Sequence, residues 1–133
     1  MDIAPLLHIG PGVTALIGGG GKTALMDTLA AELRRRGTVI VTTSTHIRRP
    51  ADYPVLTSGD EKAVSAALAR SGAICVAAES VEGKLTAPAL PFEALSALAD
   101  FVLVEADGAK RLPLKAHAPH EPVIPACARQ TVY

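Results

Sequence analysis

The sequence predicts a three-layer αβα domain, helices on both faces of a mostly parallel sheet. Two observations carry that prediction. Short, continuously apolar runs (Val13–Ile17, Thr38–Thr42, Ala73–Ala78, Phe101–Val104) alternate with stretches of helical periodicity, the pattern of βα units whose strands are buried on both faces. The first run leads directly into Gly18-Gly19-Gly20-Gly21-Lys22-Thr23, which opens an amphipathic stretch from Ala24 to Arg36. Strand, glycine loop, Lys-Thr and helix, in that order, are the parts of a phosphate-binding loop, so the domain is read as P-loop NTPase-like.

The physical basis of that motif is simple. Glycines let the backbone adopt positive φ and turn several N–H groups toward one point. The start of the next helix adds unsatisfied donors and a partial positive charge. Lys22 supplies a point charge for β- and γ-phosphates, and the Thr23 hydroxyl suits Mg²⁺. The loop is short: Leu16 stands where the usual pattern has its first glycine, which leaves G-x-x-G-K-T from Gly18 to Thr23. In that form it resembles the loop of Mur-type ligases as much as that of ordinary nucleotide hydrolases.

Composition bounds the alternatives. The chain has 133 residues, one domain's worth, and is 49% hydrophobic with two Phe, two Tyr and no Trp, so its core is aliphatic. Thirteen basic and thirteen acidic residues cancel, which argues against a general nucleic-acid or membrane-surface binder. No apolar run approaches the ~20 residues that span a bilayer, and Met1–Pro5 lacks the basic-then-apolar order of a signal peptide. Cys75 and Cys127 have no metal-type spacing and read as free thiols in a reducing cytoplasm.

Taken in order, residues 3–12 read as a short helix or turn closed by Gly10-Pro11-Gly12. After the glycine loop, Leu25, Met26, Leu29, Ala30 and Leu33 form one apolar face. Arg34-Arg35-Arg36-Gly37 ends that helix with cations and a glycine. The second strand runs into Thr43-Ser44-Thr45-His46, a hydroxyl-rich exit of the kind that meets ligands at the carboxyl edge of an open α/β sheet. Thr43 and Thr45 are candidates to touch phosphate or Mg²⁺, and His46 to orient a water or a substrate group.

Asp52–Thr57 reads as loop. Ser58 and Glu61 fit a capping box for a helix that buries Val64, Ala67 and Leu68 and stops at Gly72. Residues 79–90 read as loop or a small hairpin. Pro91 suits the first turn of a helix through Ala99 with Phe92, Leu95 and Leu98 inward. The fourth strand ends in Glu105-Ala106-Asp107-Gly108, an apolar strand closed by carboxylates, as in the metal-side element of phosphate sites. Asp107 is assigned to Mg²⁺ and Glu105 to the attacking water or the base; the two roles can be exchanged.

Beyond this point Lys110, Arg111 and Lys115 offer positive charge, and Lys110 is taken into the nucleotide site. His117, His120 and Glu121 are separated by Pro119, which spoils a helical ligand pair. Gln130–Tyr133 looks like the start of a further strand, and four parallel strands are few for this fold, so a C-terminally incomplete domain and a longer protein are expected.

With these residues in hand the sequence resembles the YqeC family of accessory proteins of selenium-dependent molybdenum hydroxylases. The resemblance rests on Gly18–Thr23, Thr42–Ile47, Val104–Lys110 and His120–Pro125, in the same order and at similar spacing, with Ser44 where threonine is expected. It implies a protein about twice this length that helps mature a molybdenum-cofactor enzyme. Two functions remain open at this stage. One is a Mg²⁺-dependent NTPase or phosphoryl-transfer enzyme, using ATP or GTP, with Lys22, Glu105, Asp107 and His46 as its working residues. The other is a non-enzymatic carrier or docking module for a nucleotide-bearing molybdenum cofactor.

Overall fold

The computed structural model describes residues 2–18, 22–80, 83–106 and 124–132. Its centre is a six-stranded sheet in the order β4-β5-β2-β8-β1-β9. The strands are β1 (Gly12–Leu16), β2 (Val39–Thr43), β4 (Val55–Leu56), β5 (Ala73–Val76), β8 (Phe101–Glu105) and β9 (Ala128–Val132), and every neighbouring pair is parallel. Parallel strands need both faces covered, which is why β2, β5 and β8 are buried along their whole length.

The helices divide between the two faces. Met26, Leu29, Ala30 and Leu33 of α1 (Lys22–Leu33) pack with Leu16, Val39, Val41 and Leu103. On the other face, Val64, Ala67 and Leu68 of α2 (Glu61–Ser71) and Leu95 of α3 (Phe92–Leu98) pack with Val13, Ile40, Ile74, Val102 and Val104. The crossover β1–α1–β2 runs one way along the sheet on the first face. The crossovers β4–α2–β5 and β5–α3–β8 run the other way on the second face, as a uniform hand of connection demands. A second sheet of three short antiparallel strands, β3 (His46–Ile47), β7 (Leu85–Thr86) and β6 (Ala78–Glu79), buries Ile47 and Leu85 against the α1 face.

Several expectations need correction. The sheet has six strands: Val55–Leu56, expected as loop, pairs with Cys75 and Val76, while the further strand expected from Gln130 is present, starts two residues earlier as Ala128–Val132, and pairs with β1. A two-residue strand has no periodicity to read, so the 52–57 stretch passed for loop. Helix α1 begins at Lys22 rather than Ala24 and ends at Leu33, with Arg34–Gly37 in a turn whose Arg36 and Gly37 amides donate to the Leu33 carbonyl. The cap of α2 is Asp60, whose carboxylate accepts from the Lys62 amide at 3.0 Å, while Ser58 Oγ accepts from the Asp60 amide. An Asx cap at Asp60, two residues further along, replaces the expected Ser58–Glu61 box. Pro91 is the cap of α3, just before its first turn. The hairpin expected in residues 79–90 is present as β6–β7. No helix among the described residues is long and apolar enough to cross a membrane.

The N-terminal segment is tied to the α1 face. Ala4 and Ile9 are buried there, and the Ala4 amide donates to the buried carboxylate of Glu32 at 2.8 Å. At the β9 edge, Thr14 Oγ1 donates to Gln130 Oε1, and Gln130 Nε2 donates to the His8 carbonyl.

Candidate functional site

In a parallel sheet all carboxyl ends lie along one edge, and here register decides which of them meet. Glu105, the last residue of β8, is aligned with Leu16, the last of β1, on one side and with Thr43, the last of β2, on the other. Adjacent strands lie about 4.8 Å apart. The exit of β1 into the glycine loop, the carboxylate of Glu105 and the hydroxyl-rich exit of β2 are therefore immediate neighbours. Side chains alternate along a strand, and Glu105 shares a face with Leu103, which packs toward α1. Thr43 shares that face with Val39 and Val41.

The loop leaves the sheet at Gly18, whose φ of +118° is a conformation that side-chain-bearing residues rarely adopt. Gly19, Gly20 and Gly21 lie outside the described residues. The chain re-enters as α1 at Lys22, so Lys22 and Thr23 are its first two helical residues. Lys22 is half-buried and its Nζ donates to the Gly18 carbonyl at 2.7 Å, bridging the two ends of the loop. Thr23 is exposed. No acidic residue lies in the first turn of α1, so the positive end of the helix dipole has no carboxylate of its own there.

Around Glu105 the contacts are specific. Its carbonyl accepts from Thr43 Oγ1 at 2.9 Å and from the Ser44 amide at 3.1 Å. The next amide, of Ala106, donates to the Leu16 carbonyl at 2.9 Å. Thr43 Oγ1 also accepts from the Thr45 amide at 2.9 Å and lies 3.5 Å from Thr45 Oγ1. Glu105 is 3% exposed, Thr43 0% and Thr45 7%, so this is polar chemistry inside the fold. His46 is exposed on β3, opposite Thr86 in register. Asp107 and Lys110 lie outside the described residues, as do Arg111, Lys115, His117, His120 and Glu121.

Two features of the site escaped the sequence. Thr86 Oγ1 donates to the Thr45 carbonyl at 2.9 Å across 41 positions, and nothing local in the sequence signals that partnership. Thr42, on the α2–α3 face of β2 beside Val104, is fully buried and its hydroxyl has no hydrogen-bond partner among the described residues. Away from this edge, a cleft of about 190 Å³ on the flank of α1 is lined by Asp27, Arg34 and Tyr53 among others and shares no residue with the site. There Tyr53 donates to Asp27 at 3.0 Å, and burial together with that carboxylate pushes the phenol well above its ordinary range. Cys75 and Cys127 are both free, and burial pushes the Cys75 thiol up to about 12.

Comparison with known proteins agrees with the motifs. The family model described as YqeC protein matches residues 14–133. The uncharacterized protein YqeC of Escherichia coli (strain K12) is 36% identical over 124 residues, covering 86% of this chain and 48% of that relative. The chain thus spans about half the length of the curated relative it matches. No solved structure matches. The strand ends that lie side by side at this edge, Leu16, Thr43 and Glu105, all fall within the matched residues, and the chain belongs to the YqeC family.

Proposed function

We propose that this chain binds a nucleoside triphosphate with Mg²⁺ and carries out hydrolysis or phosphoryl transfer in the service of maturing a selenium-dependent molybdenum hydroxylase. The single observation that carries the nucleotide reading is the register Leu16–Glu105–Thr43, which makes the exit of β1, a buried carboxylate and a set of hydroxyls neighbours at one sheet edge. The maturation role rests on the family resemblance alone.

The donor set fits the metal. Thr23, Thr43, Thr45 and Glu105 present only hard oxygen atoms, the kind Mg²⁺ takes. Thr23 and Asp107 would hold the ion, and its charge would neutralise the phosphate oxygens. Lys22 would leave the Gly18 carbonyl for the β- and γ-phosphate oxygens, and the first amides of α1 would donate beside it. Glu105, or His46, would align the attacking oxygen. In hydrolysis a water oxygen bonds to the γ-phosphorus as the bond to the β–γ bridging oxygen breaks. The water proton goes to the base or to phosphate, and nucleoside diphosphate and phosphate leave. Lys110 would add charge opposite the transferred group. Such catalysis is positioning plus charge stabilisation, which a rigid sheet edge provides.

The test is calorimetric titration of this protein, at the full length its gene encodes, with ATP, GTP and CTP, each with and without Mg²⁺, followed by phosphate-release assays on any nucleotide that binds. Mg²⁺-dependent binding with turnover supports the proposal and names the base. Binding without turnover, with or without an acceptor, transfers the site to a carrier of a nucleotide-bearing molybdenum cofactor. No binding of any of the three refutes it.

A further inference from the structure

The hydroxyls of Thr43 and Thr45 at the β2 exit and of Thr86 on β7 are not equivalent, and their hydrogen bonds sort them. A hydroxyl has one proton and two acceptor lone pairs. Thr43 Oγ1 gives its proton to the Glu105 carbonyl at 2.9 Å, since a carbonyl can only accept. One of its lone pairs takes the Thr45 amide at 2.9 Å. In the remaining 3.5 Å contact between Thr43 Oγ1 and Thr45 Oγ1, Thr45 must therefore be the donor. That contact is at the outer limit of a hydrogen bond, so the Thr45 proton is held weakly. Thr43 is fully buried with its proton committed to the protein, whereas Thr45 keeps a proton that a stronger acceptor can take. The backbone of Thr45 is fixed from both sides, by Thr43 Oγ1 at its amide and by Thr86 Oγ1 at its carbonyl, 2.9 Å in each case.

We infer that Thr45 is the hydroxyl that meets an anionic phosphate oxygen or the water shell of its metal, and that Thr43 is a positioning residue that clamps the end of β8 and the amide of Thr45 together. Thr86 completes the clamp from the three-stranded sheet. The ligand half of this inference rests on the nucleotide reading above; the clamp half does not. The sheet of β3, β6 and β7 gains a role from it: through Thr86 it anchors Thr45 two residues beyond the end of β2 that pairs with Glu105. Thr43 cannot donate to a phosphate without releasing the Glu105 carbonyl, and that release would loosen the strand that carries the carboxylate.

The experiment compares Thr43→Val, Thr43→Ser, Thr45→Val and Thr45→Ser in the protein at the full length its gene encodes. Valine keeps the β-branched shape and serine keeps the hydroxyl, so both leave the fold in place. Two readouts are taken: amide hydrogen exchange at Ser44 and Thr45 without nucleotide, and affinity for ATP with Mg²⁺ by calorimetry. Thr43→Val removes the acceptor of the Thr45 amide, so that amide should exchange about tenfold faster, with Thr43→Ser restoring it. Thr45→Val should leave both amides protected and lower ATP affinity about tenfold, with Thr45→Ser restoring it, the size expected for one hydrogen bond to a charged acceptor. Unchanged exchange in Thr43→Val overturns the clamp whatever the nucleotide result. Unchanged affinity in Thr45→Val, or a Thr43→Val loss as large as that of Thr45→Val with exchange intact, overturns the assignment of the ligand hydroxyl. If the parent binds no nucleotide, the function proposed above falls and takes the Thr45 assignment with it, while the exchange readout still decides the clamp.

Discussion

Replacing Lys22 by alanine separates what the lysine does for the fold from what it does for a ligand. In the fold it makes a 2.7 Å bond to the Gly18 carbonyl from a half-buried position at the start of α1. Losing such a bond costs about 1 kcal/mol, and the better helix propensity of alanine offsets a few tenths of that. For a domain of this size the melting temperature should fall by no more than about 4 °C. For the nucleotide proposed above the expected effect is larger. A charge-assisted bond to a phosphate oxygen contributes about 1.5–3 kcal/mol, which is roughly a ten- to hundredfold loss of affinity. The assays are calorimetric titration with ATP and Mg²⁺, and differential scanning calorimetry without nucleotide, on Lys22→Ala and the parent at the full length the gene encodes. Affinity within twofold of the parent would refute the phosphate loop itself. A fall in melting temperature beyond about 8 °C would refute the separation, because Lys22 would then be holding the loop rather than serving a ligand.

Other consequences concern stability. Asp60→Ala should cost about 1 kcal/mol by removing the cap of α2, and Ser58→Ala less; thermal unfolding giving the reverse order would restore the capping box in place of the Asx cap. Thr42→Val removes a fully buried hydroxyl that has no partner among the described residues and should stabilise by about 1 kcal/mol in urea unfolding; a clear destabilisation would refute the reading of that hydroxyl as unbonded. The Cys75 thiol, pushed up to about 12 from 9.0 by burial, stays protonated in the folded chain where the unfolded one ionises. The folded state therefore holds more protons between those values, and stability should fall as pH rises from 9 toward 12; Tyr53, also raised, acts in the same direction at its upper end. A pH series of denaturant midpoints that stays flat up to pH 11 would contradict this.

The sequence carried the element types well because they depend on local physics. Leu25, Met26, Leu29, Ala30 and Leu33 repeat with helical spacing, and four of them are buried, with Leu25 packed at the margin of the core. Gly72 was legible as a helix stop and has the positive φ, +76°, that glycine allows. Strands β3 and β4 were not legible, because two residues carry no period and their partners lie 38 and 40 positions away for β3 and 20 positions away, across α2, for β4. The capping residue of α2 was missed by two positions because Ser58, Asp60 and Glu61 all have capping chemistry, and only backbone geometry chooses among them. For the site, residue types were legible but adjacency was not. Thr43 and Glu105 are 62 positions apart, and only the order β2-β8-β1 makes them neighbours.

That order also bears on why the site is where it is. Among the described residues six polar or charged side chains are buried: Thr14, Glu32, Thr42, Thr43, Thr45 and Glu105. Thr14 and Glu32 have evident structural work, since one docks β9 and the other holds the N-terminal segment. The remaining four crowd the carboxyl ends of β2 and β8. Burying polar groups is costly unless each is bonded, and valine or isoleucine would fill the same positions in a parallel sheet at lower risk. Thr42 shows the cost directly, with a hydroxyl left unbonded among the described residues. A chain selected for packing alone would not gather its buried polarity at one end of its two central strands, beside the exit to a glycine loop. Such a concentration of polarity is what the function proposed above requires, and it lies at the edge where Glu105 sits between the ends of β1 and β2.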